Sequence, residues 1–202
     1  MSLLFETICV RDGKPERLGL HNARLNASRK ALHGCTDAVD LEAILSRETF
    51  PPGPLVRCRV VYGRDIVSVE STAYHPRSIR TLEIVQGDHL TYDHKFLDRT
   101  PLDRLVAGST ADDVLIVRSG LVTDTSFANV VFVRNGEWIT PSTPLLRGTR
   151  REDMLSRGLI RDSPVGVADI GTYSHVMLIN AMRGPDLSQA IPVTAIRSRG
   201  HT

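Results

Sequence analysis

Hydrophobic and polar positions alternate in short runs along most of this chain, and four stretches break into helical spacing. Leu3 to Val10 alternates and is rich in β formers, which predicts a strand. Asp12-Gly13 predicts a turn, and Pro15 to Leu18 a return strand. In His21 to Leu32, the residues Leu20, Ala23, Ala27 and Ala31 fall on one side at helical spacing, widened by Leu25 and Leu32. An apolar stripe of that kind ordinarily packs inward. Arg24 borders it, Lys30 lies toward the polar side, and Gly34 is the expected C-cap. Asp40 to Ser46 predicts a second short helix, ended by Pro51-Pro52-Gly53-Pro54. Leu55 to Tyr62 and Ile66 to Tyr74 predict paired strands around Gly63-Arg64. Alternation within LVRCRVVY sets Arg57 and Arg59 on one face with Leu55 and Val61. Such an arginine points into a cleft or, more commonly, to solvent.

His75-Pro76-Arg77-Ser78 is a polar break and predicts a boundary between an N-terminal domain, 1–77, and a C-terminal domain, 78–202. Beyond it the pattern predicts a strand at Arg80–Val85, a polar loop at Gln86–Asp93, a helix from Pro101 to Val106 and a strand at Val114–Val117. The stretch from Ser119 to Glu152 then gives a turn, two β runs reaching Val133, a hairpin at Asn135-Gly136, whose two central positions favour φ > 0, and a strand at Trp138–Thr140. Pro141 and Pro144 stop the sheet. Thr149 and Glu152 have capping-box spacing, so a helix is expected from Gly148-Thr149 through Arg157, closed by Gly158. A helix start gathers unpaired N–H groups and favours an anion. Later strands are expected at Val165–Val167, His175–Asn180 and Ile191–Ile196, with a loose Arg-rich tail.

The formal charge of +2 and the lack of a basic or aromatic-basic run argue against nucleic acid. No apolar run is long enough to span a membrane, and the N-terminus lacks the features of a signal peptide. Cys9, Cys35 and Cys58 have neither metal nor redox spacing. Their odd count in apolar settings implies reduced thiols and a cytoplasmic setting. The histidines lack ligand spacing, so no metal site is expected. There is no serine elbow, HExxH or phosphate loop.

Of 25 lysines and arginines only Lys14, Lys30 and Lys95 are lysine. Arginine stays protonated, so amine chemistry is restricted to these three positions. Lys95, beside His94 and Phe96, is the best placed; the plain alternative is a surface lysine. Asp124 lies between two β runs, where aspartate is disfavoured. It is either a turn residue in Thr123–Ser126 or a carboxylate holding a proton on a bound heterocycle. Asn129 supplies an amide close by. Gly148-Thr149 as an anion cradle is no more specific than any helix start, and Arg24 is either a phosphate partner or a snorkelling side chain.

Taken in order, these pieces resemble the class-IV aminotransferase family of pyridoxal-phosphate enzymes, over Leu4 to Val193. LFETICVRDGKPERLGLHNARLNASRKAL is similar to the family's opening, with H-x-x-R-L at His21–Leu25. HKFLDR is similar to the segment that carries the cofactor lysine. LVTDTSFANVVFVRNGEWITPSTPLLRGTRRE is similar to the signature segment, and VMLINAMRG to the late strand near the substrate. The resemblance implies an α+β, two-domain fold of type IV, with a small N-terminal α/β sandwich and a β-barrel-like C-terminal domain. It implies Lys95 as covalent anchor of pyridoxal 5'-phosphate, Asp124 on the pyridine nitrogen, and Asn129 in the cofactor site. Arg24 and the backbone at Gly148-Thr149 would hold the phosphate, and Thr7 would stand near the reacting centre. Arg59, Arg99 and Asn180 would contact a small amino substrate. A homodimer is expected. The activity implied first is that of 4-amino-4-deoxychorismate lyase, then a branched-chain or D-amino-acid aminotransferase, then a non-catalytic cofactor-binding relative. Position 124 departs from the family, which usually has glutamate there, and the chain is short for the family.

Overall fold

The computed structural model describes residues 2–198. Contacts divide the chain into two compact units, Met1–Pro76 with His94–Asp98, and Arg77–Asp93 with Arg99–Thr202.

The first unit is built on an antiparallel sheet. Strands β1 (Leu4–Arg11), β2 (Lys14–Pro15), β3 (Leu55–Tyr62) and β4 (Ile66–Ala73) lie in the order β2-β1-β3-β4. Side chains alternate across a strand. Leu4, Ile8 and Val10 of β1 and Val56, Cys58, Val60 and Tyr62 of β3 therefore share one face. Helices α1 (Leu18–His33) and α2 (Leu41–Leu45) add Leu25, Leu41 and Leu45 to that core. Asp40 caps α2 by accepting from Glu42 N at 2.9 Å.

Two expectations fail here. The return strand is only Lys14–Pro15, because Arg17 turns the chain into α1 with φ at 56°. More consequential, α1 buries the opposite side from the one its apolar spacing predicts. Ala23, Ala27 and Ala31 are exposed, as is Leu32, while His21, Leu25, Ser28, Arg29 and His33 are buried. Polar anchors decide the matter. Arg29 donates to Arg64 O at 2.7 Å, to Asp37 O at 3.0 Å and to Asp37 Oδ2 at 2.8 Å. His21 and Arg24 meet a buried carboxylate described below. Satisfied buried charges outweigh the small apolar area of three alanines.

The segment 94–98 belongs to this first unit, although it follows the predicted boundary by many residues and was expected in the second domain. Its backbone covers the end of β1 that β2 leaves open. Phe5 N donates to Lys95 O at 3.0 Å, Leu97 N donates to Leu3 O at 2.8 Å, and Leu4 and Phe96 form an isolated bridge.

The second unit holds strands β5 (Leu82–Gln86), β6 (Asp113–Arg118), β7 (Leu121–Thr125), β8 (Asn129–Arg134), β9 (Glu137–Pro141), β10 (Arg161–Ser163), β11 (His175–Ile179), β12 (Ile191–Pro192) and β13 (Ile196–Ser198). They form one network, β10-β9-β8-β7-β6-β5-β13, with β11 on β8 and β12 on β11. β8 is the branch point. It pairs with β7 through Asn129, with β9 through Phe132–Arg134, and with β11 along most of its length. Leu115, Val117, Val130, Phe132, Ile139, Val176 and Leu178 make its main core. Helices α3 (Thr100–Ala107) and α4 (Thr149–Ser156) complete an α+β architecture. Asn135 and Gly136 take the positive φ values, 51° and 81°, that the hairpin needs.

Three details differ from the sequence pattern. Thr149 does not cap α4: Gly148 is the N-cap and has no side chain to do so. Val165–Val167 is not a strand. Asp169 accepts from Gly166 N at 3.1 Å and starts a 3-10 turn at Val167–Thr172, leaving one bridge, Leu121 to Gly166. The final strand is interrupted at Val193–Ala195 by another 3-10 turn. Arg197 and Ser198 of the expected loose tail are in β13, and the rest of that tail lies outside the described residues.

Candidate active site

Glu6 interrupts the apolar face of β1 and is fully buried, as is His21 on α1. His21 Nδ1 donates to Glu6 Oε2 at 2.6 Å. Arg24, one helical turn on, donates from Nε to Oε1 at 2.9 Å and from Nη2 to Oε2 at 2.5 Å. Burial alone would raise the Glu6 carboxyl. The Arg24 guanidinium and the two side-chain hydrogen bonds overcome it and hold the pKa at about 2. Burial lowers the His21 pKa despite Glu6, so the ring is a neutral N–H donor. Farther along α1, Ser28 Oγ and His94 Nδ1 are hydrogen-bonded at 3.1 Å. The helix face that carries these polar groups is the one that α1 turns inward.

The other face of β1 carries Phe5 and Thr7. Lys95 Nζ lies 4.5 Å from the centre of the Phe5 ring, and Arg59 Cζ lies 4.4 Å from it. Arg59 is directly across the ladder from Thr7. The bridge of residues 95–97 to β1 is therefore what brings Lys95 to Phe5. Lys14 and Lys30 are exposed.

In the second unit Asp124 is a strand residue of β7, not a turn residue, and is only 5% exposed. Asn129 is its direct cross-strand partner. Asn129 Nδ2 donates to Asp124 Oδ1 at 2.7 Å and to Leu146 O at 2.8 Å. Leu146 N donates to Asp124 Oδ2 at 3.0 Å. Burial raises the Asp124 pKa to about 6 against these hydrogen bonds and the charge of Arg151. No lysine or arginine nitrogen of the described residues is within ion-pair distance of it. Gly148 comes so close to this pair that a Cβ there would stand 2.0 Å from Asn129 Oδ1. Thr149 is buried at the first turn of α4.

Two expected substrate contacts have partners within the chain. Arg99 donates from Nη2 to Ser126 O at 2.7 Å and from Nη1 to Tyr92 Oη at 3.3 Å. Asn180 Oδ1 accepts from Met182 N and Arg183 N, both at 2.9 Å, and shapes the loop after β11. The sequence pattern also passed over Glu6. A carboxylate in register with Leu4, Ile8 and Val10 is the available signal, because a charge on a core face needs a partner. A cleft of about 470 Å³ near Trp138, Leu159 and Arg161 holds none of the candidate residues.

These residues suit pyridoxal phosphate. A buried carboxylate with raised pKa and no cation of its own matches a protonated ring nitrogen. Taken by itself, the first unit has an amine against an aromatic ring and an arginine held by a buried acid, and the second has a helix started at a glycine, groups of the kinds that suit an aldehyde and a phosphate.

The comparisons agree. Residues 3–196 match the model of the amino-transferase class IV family, which uses this cofactor. An uncharacterized protein of Haemophilus influenzae is 33% identical over 184 residues, covering 90% of this chain and 98% of that protein. A Schizosaccharomyces pombe protein provisionally assigned as aminodeoxychorismate lyase is 40% identical over 81 residues, 37% of this chain and 35% of its own. A crystal structure of a Haemophilus somnus protein, provisionally assigned as 4-amino-4-deoxychorismate lyase, superposes with a TM-score of 0.85. It has 34% identity and covers 92% of this chain and 98% of that one.

Proposed function

Because the chain belongs to the class IV aminotransferases and so to the type IV pyridoxal-phosphate fold, we propose that it is a 4-amino-4-deoxychorismate lyase. It would eliminate pyruvate from its amino substrate and leave 4-aminobenzoate. The likeness over 92% of the chain to a protein provisionally assigned that activity supports the reading. One local observation carries it: Thr7 stands on the same strand face as Phe5, against whose ring Lys95 Nζ lies at 4.5 Å. A hydroxyl near the anchoring lysine suits an elimination, in which a leaving group must be met by a proton donor.

The bound cofactor supplies an electron-withdrawing ring that takes up the electron pair released at the substrate's amine-bearing carbon. The protein does the rest. Lys95 would hold the cofactor and afterwards carry the proton from that carbon. Asp124, oriented by Asn129 and Leu146 N, keeps the ring nitrogen protonated. Arg24 and the backbone N–H groups at Gly148-Thr149 hold the phosphate. Thr7 holds a proton at the leaving-group oxygen. The enzyme is further proposed to work as a homodimer in the cytoplasm, a setting that suits three buried, unpaired cysteines.

Purified protein supplied with pyridoxal phosphate should absorb as a lysine adduct, and borohydride should fix the label on Lys95. Given aminodeoxychorismate, it should release pyruvate without passing the amino group to a keto acid. Amino transfer in place of pyruvate release would make it an aminotransferase. No adduct, or label spread over Lys14 and Lys30, would leave a non-catalytic relative.

A further inference from the structure

The segment that carries Lys95 is held to β1 by a short pairing. It rests on one bridge, Leu4 to Phe96, and on two backbone hydrogen bonds, Phe5 N to Lys95 O at 3.0 Å and Leu97 N to Leu3 O at 2.8 Å. Main-chain bonds do not choose a register by themselves, because a slipped strand makes equivalent ones; side chains choose it. Those side chains alternate across the segment as they do across β1. Phe96 packs against the helix-side core that holds Leu4 and Leu25. His94, two residues earlier, falls on the same side, and its Nδ1 meets Ser28 Oγ of α1 at 3.1 Å. The His94 and Phe96 rings stand edge to face, with centres 6.0 Å apart. Lys95 lies between them and points the other way, to the Phe5 ring at 4.5 Å. A slip of one residue would carry the ammonium to the apolar side, where an unpaired charge is costly. A slip of two would bring Asp93 or Leu97 to Phe5. Phe96 resists that second slip weakly, since apolar packing is not directional. A hydrogen bond to one hydroxyl is directional, and Ser28 is only 2% exposed and fixed on α1.

We propose that His94, through Ser28, fixes this register and is the positioning residue that sets Lys95 on the Phe5 face. The functional weight of the inference rests on Lys95 being the anchoring lysine. His94 faces the helix rather than the Phe5 side, so it acts through Lys95. Ser28 follows Arg24 by one helical turn, so the face of α1 that meets Glu6 also holds the lysine segment. Without the bond to Ser28, the protein divides its time between registers. Only the fraction with Lys95 at Phe5 is then competent, and apparent affinity for the cofactor falls by that fraction.

The test reads the register in two ways. In cofactor-free protein, amide exchange at Leu97 reports a bond that any slip breaks. His94→Leu and Ser28→Ala should each speed it about five-fold, the weight of one net hydrogen bond. In the second readout, pyridoxal 5'-phosphate is titrated against the absorbance of its lysine adduct, and borohydride maps the attachment. Half-saturation should rise by the same factor. His94→Asn should restore both readouts, because its amide reaches the place of Nδ1. Val56→Ala, in the β3 core opposite Val10, should lower Tm and leave both readouts as in wild type. His94→Leu combined with Ser28→Ala should be no worse than either alone, as one bond cannot be lost twice. Unchanged Leu97 exchange in the two single variants, additive effects in the double one, or an equal effect of Val56→Ala overturns the proposal. Should His94→Leu fail to fold, unchanged exchange in Ser28→Ala suffices to overturn it. A wild type that forms no adduct on Lys95 defeats the anchoring role instead, because amide exchange reads the register without the cofactor.

Discussion

Gly148 and Asn129 are fitted to each other: any side chain at 148 would begin 2.0 Å from Asn129 Oδ1. Gly148→Ala must therefore displace Asn129, and Asn129 is what steadies Asp124. The substitution should destabilise by about 1–3 kcal/mol, as overpacking generally does. It should also weaken cofactor binding. Calorimetry should show a fall in Tm of about 2–4 °C for each kcal/mol, and a cofactor titration should show the looser site. An unchanged cofactor Kd would mean that Asn129 does not transmit to the ring.

Glu6→Gln tests the buried acid on β1. Neutralising it leaves Arg24 beside an amide, and one-sided loss of a buried ion pair costs roughly 3–5 kcal/mol. The denaturant midpoint should fall accordingly. Adding Arg24→Met to the same chain should recover part of the loss, because the uncompensated charge goes with it. Two substitutions whose costs simply add would contradict a direct coupling between the residues.

The two buried carboxyls give the cofactor-free protein opposite pH dependences. Glu6 has its pKa lowered from 4.5 to about 2. Its contribution is complete above its unfolded pKa and is lost as pH falls from 4.5 toward 2. Asp124 has its pKa raised from 3.8 to about 6. The native state binds its proton more tightly than the unfolded state, so stability declines as pH rises from 3.8 to 6. Each effect is on the order of 3 kcal/mol at about 1.4 kcal/mol per unit. Urea titrations should place a stability maximum near the crossover of these two ranges. Asp124→Asn should flatten the decline above it, and Glu6→Gln the rise below it. A maximum that stays put in both variants would point to other groups.

The facing of α1 can be probed with single residues. Ala27→Glu, on the exposed side, should change stability by less than about 0.5 kcal/mol. Ser28→Ala, beside it in sequence but buried against His94, should cost about 1 kcal/mol through the lost hydrogen bond. The reverse order in a melting experiment would mean that the apolar stripe is the packed side after all.

Strand positions were legible because β-rich runs here end at strong punctuation: Asp12-Gly13, Gly63, Ser119-Gly120 and Asn135-Gly136. The order of motifs singled out Lys95, Asp124 and Asn129 without any knowledge of where the chain would place them. What sequence could not carry was facing. In α1 the apolar spacing of three alanines competed with His21, Arg24, Ser28 and Arg29, whose acceptors come from β1, from residues 37 and 64, and from His94. Those partners are remote in sequence, so a local periodicity cannot count them. The same holds for Thr149, whose capping-box spacing is real while the N-cap falls one residue earlier, at Gly148, which stands against Asn129 of β8. Arg59 was ambiguous for a third reason: alternation gives a face, and only the pairing with Phe5 says what that face meets.

The chain's return to β1 at residues 94–98 has a consequence for how such a protein can be made or divided. No single cut separates the two units, because the first is finished only by a segment lying beyond part of the second. A fragment ending at Pro76 would have the sheet and the Glu6–Arg24 pair, but neither the backbone that seals the open end of β1 nor Lys95. On the ribosome, that strand end must wait until residue 98 has emerged. Lys95 is thus added last to a sheet whose other strands already exist, and any scheme that treats the N-terminal unit as a portable module has to bring those five residues with it.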